Sequence, residues 1–478
     1  MKKMNLLVMS LVSAAALSFT SCSDSEDLAN GNAGQAKVDQ FYMTLTVETP
    51  NASGTRTVQS NEYNASEAES KITSGTFFLM DSKNKIVFHK KFENLEWDKK
   101  GETKLEIPVE AVVAGAEYKV YFLANADSED PLNSTFSTTA TTDNKFVGNY
   151  AKANNFAMFN QNDSQVDGNG YTVTFIKANN NEANPAKVNY KTIPNAPIKV
   201  ERVVARIDAP TTSKSTVLAE APADASAALK VAMKDAKEKV AEIKLLNYAV
   251  SNLANKSYVM QTWNSSDLVI PNDKEGFSYI QPTAAFGGNY DYKDGGFTTT
   301  EATKVNYVFE NNSTTAPTTM YFEYQIKLDG SKFTGAADFE DGTFYRYNNV
   351  IYTSFAQIFE DYKDVTNLFG EGKNAGTMKE ELSNAIKDEA TLAKFRHDYN
   401  IEVFKGGKTY YKHVIKDNYI GYANAIQRNS IYRLNINNIF NVGAQVPNGT
   451  PTENDFYYLN VTVTVNPWVL NIEDVNLQ

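Results

Sequence analysis

The sequence contains few of the side chains that build active sites and covalent cross-links. Its 478 residues include one cysteine and three histidines. Cys22 stands alone, so the chain cannot form an internal disulfide, and its acylation (below) would leave no thiolate for a metal site or a nucleophile. His89, His397 and His413 lie in no metal-binding or nucleophile motif. We therefore predict that the protein is not an enzyme and holds no metal or cofactor.

Positive charge is also scarce. Lysine and arginine total 46 against 57 acidic residues, which gives a net charge of -11 at pH 7. This balance argues against nucleic acid as a partner and provides no basic patch for a membrane surface. The first half is especially poor in arginine, because Arg56 is the only arginine before Arg202.

The leader carries an apolar segment, residues 6–17, that is too short to span a membrane. It follows two lysines and ends in small residues before Cys22, as in a lipoprotein signal. We expect the bond before Cys22 to be cut and the cysteine to be acylated, although Phe19 stands where leucine is usual. A plain secretory leader is the alternative. The acidic tract 23–27 resembles a surface-export signal, or is a solvated linker.

Aromatic residues and threonine are abundant, with 27 tyrosines and 27 phenylalanines. Strands favour these residues, so the composition predicts an exported all-β protein of about two domains. Runs of strand-favouring residues between turns, with apolar–polar alternation at Phe41–Val47 and Tyr457–Val465, predict strands. They lie at Phe41–Val47, Thr76–Met80, Ile86–Phe88, Lys104–Val109, Tyr118–Asn125, Tyr171–Ile176, Ile198–Ile207, Ser257–Thr262, Lys304–Glu310, Met320–Leu328, Ile401–Phe404, Thr409–Ile415, Ser430–Ile436 and Tyr457–Val465.

Two segments predict helices within this β pattern. Residues 222–242 are dominated by Ala, Lys, Asp and Glu, which favours a helix or helical insertion. Thr377 with Glu380 forms a capping-box pattern before a second helix over about 378–398. Leu382, Ile386 and Phe395 would share one face of that helix.

The strands at the two ends of the chain suggest a polymerisation device. Phe41, Met43, Leu45 and Val47 form the apolar face of the first strand, and Arg56 follows in a Pro/Asn/Gly/Ser/Thr-rich stretch. A protease that cuts after Arg56 would free this strand and leave a groove, which the C-terminal strand of another copy could fill. Otherwise Arg56 is an ordinary exposed arginine, and the tail an ordinary last strand.

The donor segment has two candidate parts. Tyr457–Val465 has the stronger strand pattern, whereas the tail after Pro467 is less regular and is favoured as the donor core. The first part either precedes the tail in one extended arm or remains in its own domain. The predicted donor residues are Val463, Val465, Trp468, Val469, Leu470, Ile472, Val475 and Leu477.

A series of short motifs runs along most of the chain, namely Glu117–Asn125, Asn155–Met158, Val200–Ile207, Phe344–Tyr347, Arg428–Leu434, Gly443 and Val461–Trp468. In this order they resemble the fimbrillin family, the subunits of type V pili in Bacteroidetes-type bacteria, and most of all its minor-fimbrium branch. Residues 222–242 and 378–398 depart from this pattern and look like insertions.

The resemblance implies two transthyretin-like β-sandwich domains and export as a lipoprotein. It also implies that an arginine-specific, gingipain-like protease cuts between Arg56 and Thr57, which releases the first strand together with Cys22. The C-terminal residues then serve as donor strand for the next subunit. The expected partners are other copies of the chain, tip and anchor subunits, the protease, and host or bacterial surface receptors.

We accordingly divide the chain into a signal peptide (1–22), a propeptide (23–56), an N-terminal β-sandwich domain (57–210), a helical linker or insertion (211–242) and a C-terminal β-sandwich domain with its donor tail (243–478). The leading hypothesis is a fimbrial shaft subunit that forms an adhesive surface fibre. A glycan-binding surface lipoprotein, or a tip or anchor subunit, is the alternative. A glycan binder would have no use for a cut after its first strand.

Overall fold

A computed structural model describes residues 40–49, 66–98, 100–137, 150–160, 170–176, 180–210, 217–264, 267–271, 279–280, 293–294, 306–417, 425–447 and 459–467. Strands predominate there, so the predicted β class is confirmed in its coarse form, with four α-helices in these ranges. Cys22, Arg56, Thr57 and the tail from Trp468 onward lie outside them. Helices within these ranges are too short or too polar to cross a membrane.

The first half of the described chain consists of short and medium strands. They are β1 (Gln40–Glu48), β2 (Gly75–Met80), β3 (Ile86–Phe92), β4 (Lys100–Pro108), β5 (Glu117–Ala124), β6 (Thr135–Ser137), β7 (Ala151–Lys152), β8 (Asn155–Phe156), β9 (Met158–Asn160), β10 (Tyr171–Thr174), β11 (Ala186–Lys187), β12 (Asn189–Tyr190), β13 (Ile198–Arg202) and β14 (Ala205–Ile207).

The second half combines strands with the helices. Its elements are α1 (Ala227–Lys239), β15 (Val240–Ser251), β16 (Leu253–Ala254), β17 (Lys256–Tyr258), β18 (Thr262–Asn264), β19 (Asp267–Val269), β20 (Tyr279–Ile280), β21 (Lys293–Asp294), β22 (Asn306–Val308), β23 (Thr319–Leu328), β24 (Phe344–Tyr347), β25 (Val350–Tyr352), α2 (Phe355–Asp361), α3 (Ala375–Ala385), α4 (Glu389–Tyr399), β26 (Glu402–Phe404), β27 (Lys408–Val414), β28 (Ser430–Ile439) and β29 (Leu459–Pro467).

The largest sheet lies in the first half and has the order β11-β1-β13-β9-β5-β10-β12, with β4 paired to β1 and with β2 paired to β3 and β5. Its buried side chains form one hydrophobic cluster that runs from Phe41 to Val204, with a few later residues. Alternation along β1, and the continuous apolar run of β2, put these side chains into the core.

A second hydrophobic cluster begins at Ala205 and extends to Val442. It is lined by the sheets β22-β14-β28-β29 and β21-β15-β23-β27. A third cluster, residues 345–403, packs helices α2, α3 and α4 against the small sheet β25-β24-β26. Helix α1 lies within the segment predicted to be helical, and its N-cap Ser226 accepts a hydrogen bond from the Leu229 backbone N–H.

The predicted single strand Ile198–Ile207 is wrong. The structure divides it into β13 and β14, which belong to different sheets. Between them, the Val203 N–H donates to the Ala157 carbonyl at 3.0 Å, and the Val204 carbonyl accepts from the Asn429 N–H at 2.8 Å. The backbone therefore leaves one ladder and joins another at a buried bend, although its apolar pattern continues.

The predicted helix over 378–398 is also corrected, because it is two helices, α3 and α4. Asn374, not Thr377, caps α3, and Thr377 is the third residue of its capping box. Asp388 starts α4 by accepting a hydrogen bond from the Thr391 N–H at 2.8 Å. The second cap ends the periodic pattern that had suggested one continuous helix. Helix α2 has no counterpart in the sequence-based predictions.

Gly443 allows a close approach of two chain segments. The Tyr410 and Ala444 backbones exchange hydrogen bonds of 2.9 and 2.8 Å beside it. A Cβ atom on Gly443 would overlap the Tyr410 carbonyl oxygen and approach the Tyr411 ring to 2.8 Å.

We expect Gly443→Ala to lower the free energy of unfolding by about 1–3 kcal/mol, because the added methyl group has no space in this packed region. Gly330→Ala is the matched control, because a Cβ there meets no atom within 4 Å. Urea unfolding of both variants checks this, and equal midpoints would contradict it.

Candidate functional site: the first strand and its groove

Strand β1 lies inside the large sheet rather than at its edge. It pairs antiparallel with β4 along all nine of its residues, from Gln40 opposite Pro108 to Glu48 opposite Lys100. On its other side Met43 lies parallel and opposite to Ala186 of β11. Val47 likewise lies opposite Ile198 of β13. Residues far apart in sequence therefore form both walls of the position that β1 occupies.

The apolar face of β1 is completely buried. Phe41 is 2% exposed, and Met43, Leu45 and Val47 are 0% exposed. The side chains between them are half-buried. Burial of each apolar side chain is worth roughly 1.5–3 kcal/mol, so the four together contribute on the order of 6–12 kcal/mol of gross apolar stabilisation. That is similar in size to the whole stability of a domain.

Strand β4 depends on β1. Within the described part of the chain, β1 is the one strand that pairs with β4. Loss of β1 would remove the ladder from β4 and uncover the facing edges of β11 and β13. A groove with unpaired backbone groups on both walls and four empty side-chain positions would result, and both features favour the capture of another strand.

The segment that contains Arg56 and Thr57 connects the end of β1 to the next described part of the chain. The chain leaves the sheet after Thr49, whose hydroxyl donates to the Asp98 carbonyl at 3.2 Å. It rejoins the described structure at Ser66, the N-cap of a short 3-10 turn, Glu67–Glu69. The candidate cleavage residues lie between these points, outside the described residues.

A buried polar cluster fixes the chain immediately after that segment. The Glu69 carboxylate accepts from the Tyr307 hydroxyl at 2.7 Å and from Arg206 at 3.2 Å. Arg202 is 0% exposed and donates to the Glu69 carbonyl at 2.6 Å and to Asn429 at 3.1 Å. Burial lowers the pKa of the Arg202 guanidinium to about 9, and burial followed by Glu69 raises the pKa of Tyr307. The cluster joins the first half of the chain to Asn429, the residue directly before β28.

A second buried ion pair lies beside this cluster. Arg428 and Glu310 are 2.8 Å apart, with side chains that are 0% and 3% exposed. Arg428 also donates to the carbonyls of Tyr258 at 2.6 Å and Val259 at 2.9 Å. Arg202 and Arg428 both lie in motifs that resemble fimbrillins, but the sequence does not predict these contacts.

Among the described strands, β29 lies at the edge of its sheet. It pairs antiparallel with β28, whose other neighbour is β14. Val463 lies opposite Leu434, Val465 opposite Tyr432, and Pro467 opposite Ser430. The structure thus places the first two predicted donor residues within the chain's own sheet. Trp468, Val469, Leu470, Ile472, Val475 and Leu477 lie outside the described residues.

The histidines form no shared site in the described structure. His89 lies 6.5 Å from the Phe78 ring, between ring centroids, and the side chain of His397 is 89% exposed. Burial, followed by the charge of Lys416, lowers the pKa of His413 to about 4, so this ring is neutral at pH 7. Among the described residues, His, Cys, Asp and Glu nowhere form a group of three suited to a metal ion.

Comparison with protein families gives a match for residues 402–474, to the family described as major fimbrial subunit protein type IV, fimbrillin, C-terminal. The C-terminal region of this chain is similar to the C-terminal region of fimbrillins. The matched fimbrillin region includes β26 to β29 and therefore both β28 and the edge strand beside it. Fimbrillins are structural fimbrial proteins without enzymatic activity.

Comparison with curated proteins found no match. Among solved structures, the chain is similar to the fimbrilin FimA of Porphyromonas gingivalis W83, with 16% identity, a TM-score of 0.42 and coverage of 91% of this chain and 100% of FimA. It is also similar to a candidate cell adhesion protein of Parabacteroides distasonis ATCC 8503, with 12% identity, a TM-score of 0.44 and coverage of 91% and 99%. The tip fimbrial protein Mfa3 of P. gingivalis gives 11% identity, a TM-score of 0.34 and coverage of 90% and 100%.

Proposed function

We propose that this protein is a fimbrillin-family shaft subunit that polymerises by protease-triggered donor-strand exchange into an adhesive surface fimbria. The observation that carries the proposal is the position of β1. A strand that is fully buried on one face and paired on both edges is followed by the segment that contains Arg56. One cut there separates β1 from the rest of the chain without breaking any other element of the sheet.

The empty groove then drives assembly. The vacated positions of Phe41, Met43, Leu45 and Val47 offer on the order of 6–12 kcal/mol of gross apolar gain to a replacement strand. Main-chain hydrogen bonds along β4 add to it. Because the groove and the donor lie on different parts of each copy, the contact is head-to-tail and extends into a filament.

The donor is proposed to be an arm that begins in β29 and continues past Pro467. Among the described strands, β29 pairs with β28 and no other, so its release breaks one described ladder. Pro467 pairs with Ser430, next to Asn429, whose side chain accepts from Arg202. A tail that started at Pro467 would begin beside the first half of its own chain. Release of β29 would free the tail from its place beside the first half of its own chain. We therefore favour an arm that includes β29 over a tail that starts after Pro467.

We further propose two β-sandwich domains, 57–210 and 243–478, joined by the segment 211–242. The division of buried residues between clusters at Val204 and Ala205 supports a boundary near this point. Acylation of Cys22 would hold the precursor at the outer membrane until cleavage. An arginine-specific protease, tip and anchor subunits, and surface receptors on host or bacterial cells are the proposed partners.

Limited digestion of the purified precursor, with Cys22 replaced by alanine, tests the proposal. We expect an arginine-specific protease to create a new N-terminus at Thr57 and filaments visible by electron microscopy. Arg56→Lys is the matched variant, because it keeps the charge but removes the arginine that the protease requires. It should remain monomeric under the same digestion, whereas Thr57→Ser should assemble.

Three results would count against the proposal. Resistance of the wild-type chain at Arg56 would favour an anchor subunit or a glycan-binding lipoprotein. Cleavage without filaments would favour a tip subunit. Filaments from undigested Arg56→Lys would show that assembly does not need the cut.

A further inference from the structure

The strand that fills the groove resembles a segment near the C-terminus in sequence. Phe41–Val47 has the sequence Phe-Tyr-Met-Thr-Leu-Thr-Val, and Tyr457–Val463 has the sequence Tyr-Tyr-Leu-Asn-Val-Thr-Val. Three of the seven aligned positions are identical, and the other four pair Phe with Tyr, Met with Leu, Thr with Asn and Leu with Val. From Leu459 onward the second segment belongs to β29, whereas Tyr457 and Tyr458 lie outside the described residues. Two strands that fill the same groove would need such a likeness.

The groove constrains the apolar face of any strand that replaces β1. At its start, the Phe41 ring packs on Phe175 with 5.5 Å between ring centroids, so an aromatic side chain fits this site. At its end, Val47 lies opposite Gly101 of β4. A Cβ atom on Gly101 would overlap the Trp97 indole, and paired residues point to the same face of a sheet. The indole therefore limits the site of Val47 to a small side chain.

The segment Tyr457–Val463 meets both constraints in a single register. Its apolar side chains then take the sites of Phe41, Met43, Leu45 and Val47 in the order Tyr457, Leu459, Val461 and Val463. An aromatic ring returns to Phe175, and a valine returns to the narrow site at the other end. On the opposite face, Thr462 takes the position of Thr46, whose hydroxyl donates to the Glu102 carboxylate at 3.1 Å.

Other registers of the same strand fit less well. A shift by two residues would place Leu459–Val465 in the groove. Leu459 would then leave empty the space that the Phe41 ring occupies against Phe175, and an unfilled core cavity is destabilising. A shift by two residues in the opposite direction would bury the Asp455 carboxylate at the Phe41 site, which is costly. A shift by one residue would turn the polar side chains inward.

The tail after Pro467 does not match the groove. A replacement strand needs four apolar residues at alternate positions, as β1 has. The longest such run in the tail has three members, Trp468, Leu470 and Ile472. Asn466 precedes this run and Asp474 follows it, so the fourth site would receive one of these two residues. Burial of an unpaired polar group at that site is costly.

Transfer to the groove would give the arm a second wall. Beside β28, β29 forms nine residue pairs with one described neighbour. Strand β1 also forms nine pairs with β4, and it pairs in addition with β11 and β13 on its other side. An arm that moves from the first position to the second therefore exchanges one ladder for another and gains pairing on its free edge, which favours transfer.

We propose that Tyr457–Val463 of a second copy fills the groove, residue for residue in place of Phe41–Val47. This inference rests on the proposed donor-strand exchange and fixes its register. The arm runs in the same direction as β1, which restores the antiparallel ladder with β4 and the parallel pairing with β11 and β13. It begins two residues before β29, and the tail after Pro467 passes beyond the Val47 end of the groove.

Cysteine cross-linking tests this register in filaments of the cleaved protein. Lys104 lies opposite Thr44, so Asn460 of the next copy should lie opposite Lys104. The variant Lys104→Cys/Asn460→Cys, with Cys22 replaced by alanine, should form disulfide-linked ladders on a non-reducing gel. The matched control is Lys104→Cys/Thr462→Cys, in which the second cysteine lies two residues farther along the arm. Such diagonal neighbours are roughly 7–8 Å apart, too far for a disulfide, so we expect at least about tenfold less cross-linking.

Synthetic peptides test the choice of segment without changing the protein. A peptide of residues 455–465 should stop filament growth when it is added in excess to the cleaved wild-type chain, and a peptide of residues 468–478 should not. The first peptide with Tyr457→Ala should require at least about tenfold more material for the same effect, because it lacks the ring for the aromatic site. Filament mass after sedimentation provides the readout.

Several results would overturn the proposed register. These are filaments in which Thr462→Cys cross-links as well as or better than Asn460→Cys, and filaments in which neither variant cross-links. Inhibition by the 468–478 peptide that equals or exceeds inhibition by the 455–465 peptide would show that the tail can fill the groove. Full potency of the Tyr457→Ala peptide would favour the register shifted to Leu459–Val465. Failure of donor-strand exchange itself gives a different result, because cleaved wild type would then form no filaments at all.

Discussion

A peptide with the sequence of Gln40–Glu48 is expected to stop filament growth when it is added in excess to the cleaved protein. It would refill the groove with the side chains that fit it, namely Phe41, Met43, Leu45 and Val47, which are at most 2% exposed in the intact chain. It would also restore the nine-residue ladder with β4. Because donor and peptide compete for one site, filament mass measured by sedimentation should fall at least about tenfold at saturating peptide.

The matched control is the same peptide with Leu45→Asp. Leu45 is 0% exposed, and burial of an unpaired carboxylate at this position costs several kcal/mol. The control should therefore leave filament growth unchanged. Equal inhibition by both peptides would mean that the effect does not come from the groove, and no inhibition by either would mean that assembly uses another surface.

Replacement of Arg428 by alanine is expected to lower the free energy of unfolding by about 3–5 kcal/mol, the range seen when one partner of a buried ion pair is removed. The change would leave the Glu310 carboxylate buried, 3% exposed, without its cation. It would also remove the donors from the Tyr258 and Val259 carbonyls. Urea unfolding monitored by tryptophan fluorescence measures the loss.

Two variants control for this effect. Lys394→Ala removes an ion pair with Asp398 in which the lysine side chain is 74% exposed, and we expect less than about 1 kcal/mol from such a surface pair. The double variant Arg428→Ala/Glu310→Gln should be more stable than the sum of the single effects, because neither charge is left alone. Additive losses would show that the pair does not interact energetically.

The sequence predicted β1 correctly because its signal is local. Alternation from Phe41 to Val47 has the period of a strand, and one buried face is sufficient to produce it. The strands β2, β5 and β23 were recovered from a different local signal, a nearly continuous run of strand-favouring residues. The prediction of a single helix over 378–398 was wrong because it followed the periodic apolar residues. It did not take account of Asp388, a residue type that commonly caps a new helix.

Contacts between distant residues could not be read in this way. The apolar residues from Ile198 to Ile207 hide the change of sheet, because Val203 and Val204 between the two strands are as apolar as the strands themselves. Arg202 and Arg428 resemble ordinary surface arginines in the sequence, because burial depends on Glu69 and Glu310, which lie 133 and 118 residues away.

By itself, the sequence determined the β character, the apolar face of β1 and the location of Arg56 just behind it. These features depend on residue type and short-range spacing. Tertiary structure alone decided that β1 lies between β4 and the pair β11 and β13, and that β29 pairs with β28. Each of these depends on which distant strands pair, and pairing is fixed by the packing of the whole core rather than by any local pattern.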